Sequence, residues 1–507
     1  GGLVTENWFD LNASRYTASS TLQRMELLKT GYMGTLSLGW DNYLFLELTG
    51  RQERSSTLKD QSFFYPSANL SFLFSNAFRM PAWWNHGKLR LSYGVVGNAP
   101  ETYAANIIYE QGSDNGFTWN YVPSSWGNAN IRPEKKYEYE IGFESKFLNN
   151  RLGFDVSYYN NRVKDQILST PQPSTSGVKY VLMNVGEVAN EGWDISVSAT
   201  PVLTKNFRWD LTANYGIYRN KVVKLADGVP YLEISNIGGG GAKIQAVEGR
   251  PMGDIYVQVP QMNENGEYLV SDKGLYMNQT ELQRVGNINP DGVGGLFSSF
   301  SYKNIFLDFS IDFRIGGDVI NEMYQYSTAS GLTPESLQFR DTEHGGLSYY
   351  YPGNNNASGV PVQVDPSLGA GPNGETVYHD GVILPGVVAS TGEKNTRIIP
   401  AGYYYNQTYN WGTQPEQLTY RHSVFDNSYV KLRELTIGYQ FPEKLISKLG
   451  MTRLSVSVFG RNLFYFYKAL KNYDAESSVG TSWASQAVVG GSTTATRNFG
   501  VSLRASF

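Results

Sequence analysis

Residues 134–164 read EKKYEYEIGFESKFLNNRLGFDVSYYNNRVK, and this stretch decides the fold. Tyr137, Tyr139, Ile141 and Phe143 alternate with Glu138, Glu140, Gly142 and Glu144. Successive side chains of a β-strand point to opposite faces, so the segment has one apolar and one mainly charged face. Leu148-Asn149-Asn150 makes a tight turn, and a second such segment follows over 151–162.

The same period recurs along the chain. Phe207, Trp209, Leu211, Ala213 and Tyr215 alternate with Arg208, Asp210, Thr212, Asn214 and Gly216. Ile305, Leu307, Phe309, Ile311 and Phe313 alternate with Phe306, Asp308, Ser310, Asp312 and Arg314. Leu454, Val456 and Val458 alternate with Ser455, Ser457 and Phe459. Helical i, i+3, i+4 stripes are nearly absent. About fourteen segments fit: 6–16, 31–40, 43–51, 66–75, 88–96, 135–147, 151–162, 190–201, 206–218, 294–302, 304–316, 428–441, 452–462 and 496–507.

The connections carry further information. Asp41-Asn42, Leu148-Asn149-Asn150, Val202-Leu203-Thr204-Lys205 and Lys303 are tight turns, and 76–87 and 442–451 are moderate. Between them lie long links over about 97–134, 163–189, 219–293, 317–427 and 463–495. From residue 76 onward short and long connections alternate, as in outer-membrane barrels with short periplasmic turns and long extracellular loops. The expected fold class is therefore all-β: a transmembrane antiparallel β-barrel with its C-terminus periplasmic and its long loops extracellular, in a bacterial outer membrane. Glu138, Glu140, Glu144, Asp194, Asp210, Asp308 and Asp312 are expected in the lumen, because facing lipid would cost each its hydration. Trp40, Trp193, Tyr215, Tyr302 and Tyr439, read as near strand ends, suit the interfacial girdles.

Composition agrees. The 507 residues hold 42 Lys+Arg against 46 Asp+Glu, a net charge of −4, so nucleic acid is a poor partner. There is no cysteine, which excludes disulfides, thiolate metal sites and cysteine nucleophiles. The four histidines, His86, His344, His379 and His422, are far apart, so no metal centre is expected. Mean hydropathy is −0.36, which hides a barrel whose apolar residues occupy every second position. The chain starts Gly1-Gly2-Leu3-Val4, as would the middle of a longer protein or a processed one. At the other end Phe499, Val501, Leu503, Ala505 and Phe507 alternate with polar residues or glycine. An apolar-alternating terminal strand closing on Phe resembles the assembly signal of outer-membrane barrels.

The segments FFYPSANLSFLFSNAF (63–78), KLRLSYGVVGN (88–98), NVGEVANEGWDISVSATPV (184–202), EGRPMGDIY (248–256), RHSVFDNSYVKLRELTIGYQFP (421–442) and LSVSVFGRNLFYFYKALKNYDAE (454–476) resemble the SusC/RagA-type TonB-dependent transporters of Bacteroidetes outer membranes. So do 128–168, 209–225 and 285–321, and the resemblance runs in order over most of the chain after about residue 60. It implies a barrel of the 22-stranded transporter class around an N-terminal plug. It implies import of oligosaccharides, glycans or peptides, a SusD-type surface lipoprotein as lid, and energy delivered through TonB by way of the plug. Paired transporter–lipoprotein dimers are common among such relatives. Residues 1–507 then form the C-terminal portion of the barrel, without the plug and without roughly eight upstream strands.

No catalytic constellation is found, so no enzymatic activity and no cofactor are expected. Asn263-Glu264-Asn265-Gly266-Glu267 and Asp272-Lys273-Gly274 do not meet the EF-hand pattern and read as a solvated loop. Gly238-Gly239-Gly240-Gly241 lacks the ending of a phosphate loop and reads as mobile. Two aromatic clusters in the long links are candidate contacts for substrate or lid: Phe117, Trp119, Tyr121 and Trp126, and Tyr403, Tyr404, Tyr405, Tyr409 and Trp411. Aromatic faces with amide neighbours such as Asn120, Asn406 and Gln407 suit sugars and peptides, and they equally suit packing of loop on loop or on the lid. A self-contained fourteen-stranded passive channel and a non-transporting adhesion barrel are the alternative functions.

Overall fold

The alternating segments pair edge to edge into one antiparallel sheet of 13 strands. In the computed structural model they are β1 (Lys29–Trp40), β2 (Leu44–Ser55), β3 (Ser62–Phe72), β4 (Trp84–Asn98), β5 (Glu134–Phe147), β6 (Leu152–Lys164), β7 (Glu187–Leu203), β8 (Phe207–Lys224), β9 (Gly292–Tyr302), β10 (Ile305–Ile315), β11 (Tyr429–Gln440), β12 (Arg453–Lys468) and β13 (Asn498–Ser506). Sheet order equals chain order. The structure describes residues 24–507 apart from 59–61, 107, 115–116, 411–415, 417–418 and 492–494, together with residues 2, 4, 5, 7, 8, 10, 13 and 15. The expected strand over 6–16 falls largely outside the described residues, and those described within it belong to no strand. Among the described residues no helix is long and apolar enough to cross a membrane, which says nothing of strands.

Register turns the alternation of single strands into two continuous surfaces. Leu38, Leu46, Leu70, Leu91, Ile141, Tyr158, Trp193 and Ile217 oppose one another in one row from β1 to β8. Trp209, Phe300, Leu307, Ile437, Val458 and Val501 form such a row from β8 to β13. Leu91, Ile141, Ile437, Val458 and Val501 are exposed in the isolated chain. An apolar surface of this extent is far larger than a soluble monomer leaves in water, and matches the lipid-facing band of a barrel. On the other face Lys88, Glu144, Asp155, Ser196, Asn214, Gly295, Asp312, Lys431 and Tyr465 form a row from β4 to β12.

Turn chemistry fixes the short end. Asp41 and Asn42 take φ of 50° and 59°, the left-handed pair whose twist matches that of the flanking strands. The connections at this end are 41–43, 73–83, 148–151, 204–206, 303–304 and 441–452; those at the other are 56–61, 99–133, 165–186, 225–291, 316–428 and 469–497. Trp40, Tyr302 and Tyr439 lie beside the short turns as expected. Trp193 and Tyr215 do not lie at strand ends: both sit well inside β7 and β8, where Trp193 packs on Tyr158 and Tyr215 stacks on Phe313. Among the described residues β1 pairs only with β2 and β13 only with β12, so the wall is an open arc.

The long connections are themselves folded. Strands Tyr231–Ile237, Ala242–Val247, Asp254–Val257 and Gln283–Asn287 make a four-stranded sheet. Its Ile237, Ile244, Ile255 and Val257 share one core with Ile320, Tyr420 and Val424 of 316–428 and with Ala484, Ala487 and Val488 of 469–497. Three connections thus form one body. Gly238–Gly240 forms a short turn between the first two strands of that sheet, with Gly239 exposed and Gly238 against the body. A Cβ on Gly238 would stand 1.7 Å from the Tyr420 hydroxyl, so only glycine fits there. Two helices complete the body, α1 (Glu322–Ala329), capped by the Asn321 side chain, and α2 (Ala401–Tyr409).

Candidate functional site

The charged face of the wall is built from cross-strand ion pairs. Arg90 of β4 donates to Asp155 of β6 at 2.6 Å and to Ser157 at 3.1 Å, and reaches Glu144 of β5 at 3.4 Å. Gly142 makes room for this, since a Cβ there would lie 2.7 Å from Arg90 Nε. Beside it on the same face is a cavity of about 470 Å³, lined by Asp155, Ser157, Asp194, Ser196, Asn214 and Tyr218. Carboxylates, hydroxyls and an amide facing a common space suit polar solutes.

A second charge node ties the loop body to the wall. Between Leu432 and Glu434 the pairing of β11 slips, so Arg433 is an extra residue on a bulge. A bulge re-aims its side chain. Arg433 Nε donates to Asp312 at 2.6 Å, and its Nη1 donates to Glu476 at 2.9 Å. Lys431, only 2% exposed, donates to Glu476 at 2.5 Å and lies 4.6 Å from the Tyr465 ring centre. Burial alone would raise the Glu476 carboxyl; the hydrogen bonds from Arg433 and Lys431 outweigh it and hold it below the usual carboxylate range.

Within the loop body the segment 248–256 supplies a third node. Asp254, fully buried, accepts from Arg250 at 2.6 Å, Arg284 at 2.8 Å and Asn287 at 2.9 Å. Burial would raise this carboxyl too, and those three donors hold it below its ordinary value. A cleft of about 760 Å³ opens between the ends of β6 to β8 and the connections 165–186 and 225–229, lined among others by Asp165, Thr170, Gln172, Asn184, Glu187 and Lys224.

The two aromatic clusters part company. Phe117, Trp119 and Tyr121 stand at every second position of the strand Phe117–Tyr121, which pairs with Glu110–Asp114 in a two-stranded ribbon. All three are exposed, Phe117 at 78%. Trp126 is separate: it pairs beside Val181 in another small sheet, half-buried, with its indole N–H unpartnered among the described residues. Tyr403, Tyr404, Tyr405 and Tyr409 lie on α2. Tyr405 and Tyr409 are buried among Ala401, Tyr324 and Phe339, and the Tyr405 hydroxyl donates to the Glu335 carbonyl at 2.8 Å. Tyr403 and Tyr404 are half-buried in the neighbouring core of Leu275, Val382, Leu384 and Ile399. Burial pushes the Tyr404 and Tyr409 phenols up. Tyr409 packs on His422, whose half-buried imidazole is pushed below its ordinary value by desolvation and by the neighbouring Arg421 charge. Trp411 lies outside the described residues. Asn263 folds back on its own turn, its side-chain oxygen accepting from the backbone N–H groups of Asn265 and Glu267.

Sequence reasoning missed Arg433, Lys431 and Glu476. A signal was present: in Val430, Leu432, Leu435, Ile437 and Tyr439 one step is three instead of two, as a bulge requires.

A wall that is greasy outside, charged inside and crowned at one end by a folded loop body defines an outer-membrane-type β-barrel. Residues 5–255 match the family model described as TonB dependent receptor-like, beta-barrel. TonB-dependent receptor P3 of Formosa agariphila is 22% identical over 494 residues, covering 88% of this chain and 42% of that protein. TonB-dependent receptor SusC of Bacteroides thetaiotaomicron is 27% identical over 256 residues, 44% of this chain and 24% of that protein. The solved structure of the RagAB peptide transporter superposes with a TM-score of 0.66 at 18% identity, over 93% of this chain and 48% of that one. The chain therefore spans less than half the length of these relatives. Residues 5–255 are thus a TonB-dependent receptor-like β-barrel region, and the chain as a whole is similar to TonB-dependent receptors, SusC among them.

Proposed function

We propose that this chain is the C-terminal part of the wall and mouth of an outer-membrane active transporter for large polar nutrients, glycans or peptides. The long connections face the cell exterior, a SusD-type lipoprotein caps them, an upstream part of the protein supplies the plug and the remaining strands, and TonB drives the plug. The observation that carries this reading is the joining of a charged inner wall to a folded loop body through Arg433, Lys431 and Glu476. A polar solute entering there passes over hydroxyls, amides and carboxylates instead of hydrocarbon. Phe117, Trp119 and Tyr121 are the exposed aromatic surface for lid or substrate, and Phe499, Val501, Leu503 and Phe507 are the signal for barrel assembly. The self-contained channel would need β1 to pair with β13, and among the described residues neither outer edge has a partner strand. Deleting the gene is expected to abolish growth on one polymeric glycan or peptide source. Normal growth on all of them would overturn the reading.

A further inference from the structure

The outer face of β5 to β8 changes character towards the long-connection end. Its apolar row is Ile141, Tyr158, Trp193 and Ile217. Two residues further along each strand the opposed row is Tyr139, Asn160, Glu191 and Arg219, then Tyr137, Arg162, Ala189 and Lys221, then Lys135, Lys164 and Glu187. Lys135, Arg162, Lys164, Arg219 and Lys221 are all exposed. Arg162 pairs with Glu187 at 3.0 Å and Arg219 with Asp291 at 3.4 Å. Among the described residues that leaves Lys135, Lys164 and Lys221 without a salt bridge; Lys135 stands directly opposite Lys164, whose other neighbour Glu187 is taken by Arg162. Like charges in that position destabilise a sheet unless an anion sits between them. The row one step nearer the short turns, Tyr215, Gly294, Phe313 and Val430, carries no cation.

Where the two characters meet there is a cavity of about 220 Å³, lined by Tyr93, Tyr137, Glu138, Tyr139, Asn160, Arg162 and Lys164; Glu138 alternates with Tyr137 and Tyr139 and is bonded to Lys136 and Asn161. It has an aromatic base continuous with the lipid-facing band and a cationic rim above. A free anion would have no use for the aromatic base, and an uncharged lipid none for the cationic rim. A phosphate carried on an acylated molecule fits both, since tyrosines suit the depth of headgroups and each basic residue near a charged leaflet adds attraction.

We propose that Lys135, Arg162 and Lys164 bind the phosphate of a phosphorylated glycolipid of the outer leaflet, with Tyr93 and Tyr139 against its acyl or sugar portion. The site rests on the orientation proposed above, with the long connections outward. The test uses the full-length transporter in detergent, titrated with lipid A, with enzymatically dephosphorylated lipid A and with inorganic phosphate. Bound lipid is read by native mass spectrometry. The K135Q/K164Q pair is expected to weaken lipid A binding about thirtyfold, roughly fivefold per cation removed. Dephosphorylated lipid A should bind the wild type as weakly, and millimolar phosphate should not compete. A matched pair at the short-turn end, K205Q/K303Q, is expected to change nothing. Heat-modifiable migration on gels checks that both variants remain folded. Equal binding to K135Q/K164Q and wild type, equal binding of the dephosphorylated lipid, or competition by phosphate would each overturn the site. A loss confined to K205Q/K303Q would overturn the orientation instead.

Discussion

Two stretches rich in Tyr and Trp, alike in composition, end in opposite environments. Phe117, Trp119 and Tyr121 stand at alternate positions of a ribbon of two strands, and among the described residues all three are exposed. On α2 the buried residues are Ala401, Tyr405, Thr408 and Tyr409, an i, i+4, i+7, i+8 stripe closed against α1 and the turn at 334–339. An aromatic residue is hydrophobic payload or contact surface according to whether the chain brings a second layer over it. The ribbon offers surface, and the helix holds the mouth together.

That contrast can be broken experimentally. Glu476→Ala leaves the buried Lys431 without its carboxylate and Arg433 with Asp312 alone, and should destabilise the junction of loop body and wall by about 3–5 kcal/mol. Limited proteolysis should then cut within 469–497, and an uncut loop would show that the hydrophobic core alone anchors it. Tyr409→Ala removes a ring from a closed core and should cost about 3–5 kcal/mol locally, seen as faster hydrogen exchange over 401–409. Tyr405→Phe deletes only the hydroxyl, whose proton is shared between the Glu335 and Gln338 carbonyls, and should cost about 1 kcal/mol on the same measurement. Replacing Phe117, Trp119 and Tyr121 together by Ala should move stability by no more than about 0.5 kcal/mol per site. It should nevertheless impair uptake or retention of the lipoprotein, as loss of exposed aromatic anchors does at interfaces. Unchanged uptake and retention would make the ribbon a spacer.

The loop body should also respond to pH through Asp254. Its folded-state pKa lies below the unfolded one, so its contribution is complete above the usual carboxylate range. As pH falls through that range the unfolded chain takes up a proton that the folded chain refuses, and the contribution fades towards the folded pKa. Asp254→Asn should flatten this part of the acid-stability profile. A profile identical to the wild type would mean that other carboxylates dominate.

The sequence alone determined the wall. A period of two, as in Tyr137 to Glu144, survives because one face meets hydrocarbon and the other water along the membrane-spanning part of the strand, and no distant contact can change that requirement. The turns at Asp41-Asn42 and Leu148-Asn149-Asn150 were legible for a similar reason, since their left-handed backbone is a local demand. The loop body was not legible. Its strands are four to seven residues long, and its core joins Ile244, Ile320 and Val488 from three separate connections. Which of those residues meet is a matter of chain return, and so is the choice of Glu476 as partner of Lys431. Tertiary structure alone decided those contacts, because their energy exists only once segments distant in sequence have been brought together.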